Sequence, residues 1–268
     1  MNQFLYFVCV NGNKDLLKKE IELFYPSLVP SFSKGDFLTY KNLGKNYSLK
    51  EIENFQFAFA LDWGINDGDL SQDAIEARLS VQKSKINLPE EAPSRAYLKI
   101  AEAYKRFSLQ SDANINWIEF GSAPGGASFF LLNNFGALTG VDPGKMDDIC
   151  LDNIMYEHLS VPIQNLSQEE LPNRPVHYIA SDLNLNPKQA IKEVIRLSKK
   201  YRMLKGIFMT IKMVKVEHVK LIPEFVKMFE DAGHENSIKV QLPSHRREFL
   251  IYAPKALRYI KSSFKDTP

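Results

Sequence analysis

Glycines at 121, 125 and 126, followed by an aspartate at 142, bring nucleoside binding within reach of this chain. Trp117-Ile118-Glu119-Phe120 reads as a short buried strand, and Gly121-Ser122-Ala123-Pro124-Gly125-Gly126 as a glycine-rich turn. Ser128-Phe129-Phe130-Leu131-Leu132 continues as a helix, and a second strand, Ala137 to Val141, runs into Asp142. Gly121 and Asp142 lie 21 positions apart. Glycines let backbone approach a ligand, and an acid at the end of the next strand accepts from ribose hydroxyls. The spacing is G-x-x-x-G-G, so the close pyrophosphate approach of a dinucleotide fold is not spelled out, and no Walker-type Gly-Lys-Ser/Thr is present.

Four ionisable residues stand where apolar ones would be cheaper: Lys99, Asp182, Lys212 and Glu248. Lys212 closes the apolar run Gly206-Ile207-Phe208-Met209-Thr210-Ile211, which reads as a buried central strand. A lysine there carries a desolvation cost unless it is paired. Asp182 ends the strand Val176 to Ser181, at the carboxyl edge where open α/β sheets bind ligands. Lys99 and Glu248 taken singly read as surface charges.

The turn resembles the cofactor loop of FtsJ-like ribose methyltransferases, which is usually written D-L-G-x-x-P-G-G-W. Here Glu119 stands for the Asp, a change expected to conserve charge, and Ala127 stands for the Trp. The string Ser94-Arg95-Ala96-Tyr97-Leu98-Lys99-Ile100-Ala101-Glu102-Ala103 is similar to the segment that precedes this loop. It is closest to the branch acting on a cytidine ribose of large-subunit ribosomal RNA. The resemblance implies S-adenosyl-L-methionine as cofactor, held by residues 121–126, Asp142, Asp182 and Asn165, the last beside the adenine. It also makes Lys99, Asp182, Lys212 and Glu248 a catalytic tetrad with no metal. On that reading a buried Lys212, crowded by a second cation, accepts the proton of a ribose hydroxyl. Asp182 and Glu248 orient it, and Lys99 positions the ribose or its phosphate.

Further elements must position these residues. Phe4 to Val10 reads as a strand, Lys14 to Phe24 as a helix stopped by Pro26 and Pro30, and Phe37 to Tyr40 as a strand. Phe55 to Trp63 reads as a third strand. Residues 1–88 form a small α+β domain, similar to the THUMP-like RNA-binding modules. Residues 89–268 form an α/β domain, by resemblance the Rossmann-like class I methyltransferase sheet with helices on both faces and one antiparallel strand. Val161 to Asn165 is expected to be a strand, and Val216 to Ala232 a helix closed by Gly233.

The chain has 34 Lys+Arg and 32 Asp+Glu, but residues 186–268 carry 18 of the former against 8 of the latter. That third is a candidate footprint for a polyanion such as RNA, with Lys188, Lys199, Lys200, Arg246 and Arg247 in it. No apolar run reaches membrane-spanning length, the first residues do not read as a secretory signal, and the 2 cysteines read as buried thiols. The expected setting is the cytoplasm. Two other classes remain open: a non-catalytic RNA-binding protein on a methyltransferase fold, and a small-molecule methyltransferase.

Overall fold

The computed structural model describes residues 3–255. Its first unit is an antiparallel sheet of order β2-β3-β1-β4, built from β1 (Phe4–Val8), β2 (Leu28–Lys34), β3 (Phe37–Asn42) and β4 (Asp62–Ile65). Helix α1 (Lys14–Phe24) buries Leu16, Leu17 and Ile21 against it, and α2 (Leu49–Glu53) and α3 (Gln72–Leu79) fill the connections. Helix α2 starts with a capping box, in which the Ser48 side chain accepts from Glu51 N–H and Glu51 reaches back to Ser48 N–H.

Helix α1 ends at Phe24, ahead of both prolines, and Pro30 lies inside β2. That strand is the edge of its sheet and shifts register between Pro30 and Phe32, which is where a residue without an N–H is tolerated. The expected strand over Phe55 to Trp63 is realised only at its end, in β4. The backbone of Ala58 and Phe59 instead donates to the carboxylate of Glu20, a fully buried side chain of α1.

The second unit is a seven-stranded sheet of order β10-β11-β9-β8-β5-β6-β7. Its strands are β5 (Trp117–Phe120), β6 (Leu138–Val141), β7 (Tyr156–Leu159), β8 (Tyr178–Ser181), β9 (Gly206–Lys212), β10 (Ile238–Val240) and β11 (Glu248–Pro254). Strands β5 to β9 pair in parallel; β11 alone runs antiparallel to both of its neighbours. Helices α4 (Ala96–Arg106) and α5 (Gly126–Asn134) pack on one face, and α6 (Asp148–Leu151) leads into β7. Helices α7 (Pro187–Ser198) and α8 (Ile222–Asp231) cover the other face, burying Ala190, Ile191, Val194, Leu197, Phe225 and Phe229.

Two expected elements differ. The strand placed at Val161 to Asn165 lies earlier, as β7, while Ile163–Asn165 is a 3-10 turn opened by Pro162. Strand β7 is an edge strand with Glu157 and His158 in it, so it lacks the apolar signature of a central strand. The helix expected from Val216 begins as a 3-10 segment through Leu221 and becomes α-helical only at α8, where Pro223 sits in the first turn and costs no hydrogen bond.

The two units share one core. Phe7, Phe57 and Phe59 of the first belong to the same apolar cluster as Ile118, Ile211 and Phe249 of the second, and Phe59 meets Phe249 edge-on at 5.6 Å. Polar contacts reinforce the seam. Lys239 of β10 pairs with Glu20 at 2.8 Å, and buried Asn13 donates to the carbonyl of Arg246 at 2.6 Å. The Arg247 guanidinium engages both carboxylate oxygens of Asp15. Glu20→Ala strands two buried N–H groups and the Lys239 ammonium, and is expected to cost about 3–5 kcal/mol. Denaturant unfolding measures this, and a loss below about 1 kcal/mol would contradict the role given to Glu20.

Candidate active site

The glycine loop leaves the carboxyl end of β5 in the centre of the sheet. Gly121 has φ +81°, and a Cβ there would sit 2.6 Å from the carbonyl oxygen of Asp182, so only glycine lets this turn pass the end of β8. Gly126, the first residue of α5, lies against the Ser94 backbone, whose carbonyl oxygen would be 2.5 Å from an added Cβ. The residues leading into α4 and the loop before α5 are therefore fitted to each other. That contact is the physical link between two sequence signatures about 30 residues apart.

Asp142 follows β6, with Oδ1 accepting from Gly144 N–H at 2.7 Å and its own carbonyl accepting from His158 Nε2 at 2.9 Å. Its carboxylate is pinned through one oxygen, and the other has no partner among the described residues. Ser122 is buried and turns its hydroxyl to Met146 Sδ, which leaves its backbone for any ligand. Ala123 is half-buried, and Pro124 is exposed at the tip. Asn165 is not at a strand end; it is exposed in the 3-10 turn.

Lys99, Asp182, Lys212 and Glu248 converge. Lys99, in the first turns of α4, lies 2.8 Å from Asp182 Oδ2 and 2.8 Å from Glu248 Oε1. Lys212 and Glu248 are cross-strand partners at the end of β9 and the start of β11. The Lys212 ammonium reaches Asp182 Oδ1 at 3.5 Å. The Lys212 side chain is 32% exposed, against 20% for Lys99 and 9% for Glu248, so it is the most open of the four and not the buried lysine expected.

Burial opposes charge on Lys99, but the Asp182 and Glu248 carboxylates outweigh it and raise its pKa above the ordinary lysine value. Burial likewise works against the Asp182 carboxylate, and the Lys99 and Lys212 ammonium groups overcome it, so its pKa falls. Lys99 is thus fixed as a cation and Asp182 as an anion. Among the described residues no group of three metal-binding side chains is placed to hold an ion.

Three further residues shape the site. Glu102, one turn beyond Lys99, is buried and accepts from Ser244 N–H at 2.9 Å and Ser244 Oγ at 2.7 Å. It thereby holds the β10–β11 connection. His245 in that connection is buried, and its Nδ1 accepts from Leu242 N–H at 3.2 Å. Burial and then the Lys99 charge lower its pKa to about 3, so it stays neutral with its proton on Nε2. Glu102 was visible only as a letter of the Ser94 to Ala103 string, and His245 only as part of a hairpin turn.

The third is Glu119, which does not conserve charge. Burial, with added repulsion from Asp182 and Asp142, pushes its carboxyl up to about 8, even though Ser128 Oγ donates to it at 2.5 Å. It lines a cavity of about 30 Å3 with Lys99, Ser181 and Asp182, room for a single water.

The arrangement defines a Rossmann-like methyltransferase: an open sheet with one returning antiparallel strand, and a glycine loop and an acid at the first two strand ends. The chain belongs to the FtsJ-like methyltransferase family, whose model matches residues 92–262. It is similar to the ribosomal RNA large subunit methyltransferase M of Saccharophagus degradans, 25% identical over 61% of this chain and 48% of that protein. The protein of the same description from Azotobacter vinelandii is 30% identical over 38% of this chain and 30% of its own length. The chain thus spans about half or less of the curated relatives it matches. Among solved structures, a Streptococcus thermophilus protein provisionally named a hemolysin superposes with a TM-score of 0.52. It is 14% identical over 64% of this chain and 69% of that one, a likeness of fold alone. S-adenosylmethionine is the cofactor, and the residues present fit it: glycine backbone at the β5 turn and, at the next strand end, a pinned carboxylate with one oxygen free.

Because the folded pKa of Glu119 lies above its unfolded value near 4.5, its contribution is complete below that value and is lost as pH rises towards about 8. Glu119→Gln is therefore expected to stabilise the protein progressively between pH 5 and 8, by on the order of a few kcal/mol at the upper end. Thermal melts at several pH values test this. A stability difference that does not change with pH would mean that Glu119 is ionised in the folded protein.

Proposed function

We propose that the protein transfers a methyl group from S-adenosylmethionine to a ribose 2′-oxygen of RNA, and that the RNA is ribosomal, from the large subunit. The observation that carries the reading is the unequal grip on the two lysines. Lys99 is clasped by two carboxylates at 2.8 Å, whereas Lys212 meets one at 3.5 Å and stays accessible. A ribose hydroxyl is a poor nucleophile near neutral pH and needs a positioned base. Lys99 is committed as a cation, so the base in this proposal is Lys212, whose ammonium first releases its own proton to solvent and enters the step as a neutral amine. Bound S-adenosylmethionine supplies a methyl group already activated on a sulfonium. Asp182 steadies Lys212, and Lys99 and Glu248 fix Asp182 and the edge of β11. As the ribose oxygen takes the methyl group, its proton ends on Lys212. Residues 121–126 and Asp142 hold the cofactor in this proposal, with Asp142 accepting from the ribose hydroxyls. The descriptions of the relatives support a large-subunit ribosomal RNA as acceptor.

Asp142→Ala removes a charged acceptor worth about 1.5–3 kcal/mol per hydrogen bond, so cofactor binding should weaken at least about tenfold in calorimetry. Unchanged affinity would remove Asp142 from the cofactor site. Lys212→Arg is expected to keep cofactor affinity within a few-fold and lose methyl transfer, because a guanidinium does not give up its proton. An active arginine variant would reduce Lys212 to a source of charge. Loss of the gene should render one large-subunit ribosomal RNA nucleotide newly sensitive to alkaline hydrolysis. Unchanged ribosomal RNA alongside loss of a base or transfer-RNA methylation would show the acceptor to be wrong.

A further inference from the structure

Among the described residues, several cations of the lysine-rich last third are committed within the protein. Lys188 pairs with Glu224, Arg247 with Asp15 and Lys239 with Glu20, while Lys200 donates to the carbonyls of Gln168 and Leu171. Further unspent positive charge surrounds a cleft of about 320 Å3 where the two units meet. Lys83 and Lys85 of the connection and Lys105 and Arg106 at the end of α4 stand at its rim. All four are exposed, and none has an ion-pair or hydrogen-bond partner among the described residues.

The floor is aromatic and rigid. Trp63 Nε1 donates to the Ile52 carbonyl at 2.8 Å, and its ring meets fully buried Phe57 edge-on at 5.2 Å, leaving the indole half-buried but locked. In the wall, Glu102 spends Oε2 on Ser244 and has no partner on Oε1. A second hollow, of about 390 Å3, shares Leu61, Trp63 and Arg106 with the first, so the two form one groove. Helix α4 joins the groove to the tetrad, since Lys105 lies about 9 Å along the axis from Lys99.

We infer that this groove holds the single-stranded RNA next to the methylated nucleotide, with its phosphates on Lys83, Lys85, Lys105 and Arg106 and one base against Trp63. The inference rests on the acceptor being RNA, as proposed above. The chemistry favours that occupant. Four unpaired cations around an immobilised aromatic surface match a strand that alternates phosphates with flat bases. An apolar peptide would leave the four charges unused. Leu242 and Pro243 in the wall belong to the connection that carries His245 and leads to Glu248. A strand lying there runs along α4, the helix that carries Lys99.

The test compares the full chain with the combined Lys83→Ala, Lys85→Ala, Lys105→Ala and Arg106→Ala variant, using short dye-labelled single-stranded RNA over a salt series. At about 0.7 per phosphate for single strands, the slope of log affinity against log salt should shrink by about 3. S-adenosylmethionine affinity should be unchanged, which confirms that the variant is folded. RNA should also quench tryptophan fluorescence in the wild type, with the effect lost in Trp63→Phe; the other tryptophan, Trp117, is buried in the core. A variant that binds RNA with the wild-type slope overturns the groove while leaving the methyltransferase reading intact. RNA binding without Trp63 quenching overturns the base contact. A wild-type protein that binds no RNA and methylates a small acceptor overturns the proposed function and the groove with it.

Discussion

Three elements far apart in the chain meet on one ammonium. Lys99 comes from α4, Asp182 from the end of β8 and Glu248 from the start of β11, and both carboxylates lie 2.8 Å from the lysine nitrogen. All three are largely removed from water, where an unpaired charge is costly and a removed partner leaves the others uncompensated. The clasp therefore fixes how the helix over one face of the sheet sits on the strand ends beneath it. Its second effect is chemical. By taking up both carboxylates, Lys99 leaves Lys212 with a single, longer contact.

The clasp depends on supports outside the catalytic sheet. Glu248 begins a strand whose preceding connection is gripped from two sides. Glu102 of α4 holds Ser244, and Asn13 and Asp15 of the first unit hold the backbone of Arg246 and the side chain of Arg247. The first unit is thus part of the scaffold of the site as well as a neighbour to it.

Much of this was legible in the sequence, for identifiable reasons. Strand-end charges such as Asp182 and Lys212 stand out because apolar runs precede them, and glycines at 121 and 126 stand out because the turn tolerates nothing larger. Contacts made only in three dimensions were not legible. The buried carboxylate of Glu20 replaces a strand ladder over Ala58 and Phe59, which no local pattern announces. Pro30 reads as a breaker until its strand is known to be an edge. Glu119 keeps the acidic residue type but not the charge, because its surroundings decide ionisation. Net charge by segment is blind to pairing for the same reason: Lys188, Lys239 and Arg247 of the basic last third have partners, while unpaired cations also lie beside α4 and in the connection before it.

The shared core has a consequence for how the chain is made. Phe59 closes against Phe249, Glu20 against Lys239 and Asn13 against the backbone of Arg246. Domains generally fold as units, amino-terminal first, as they emerge during synthesis. Here the strands made first lack part of their packing, and the buried Glu20 lacks its counter-charge, until residues 238–254 have left the ribosome. Until then the nascent first unit presents an apolar face and an uncompensated acid to the cell, and it relies on whatever shields newly made chains.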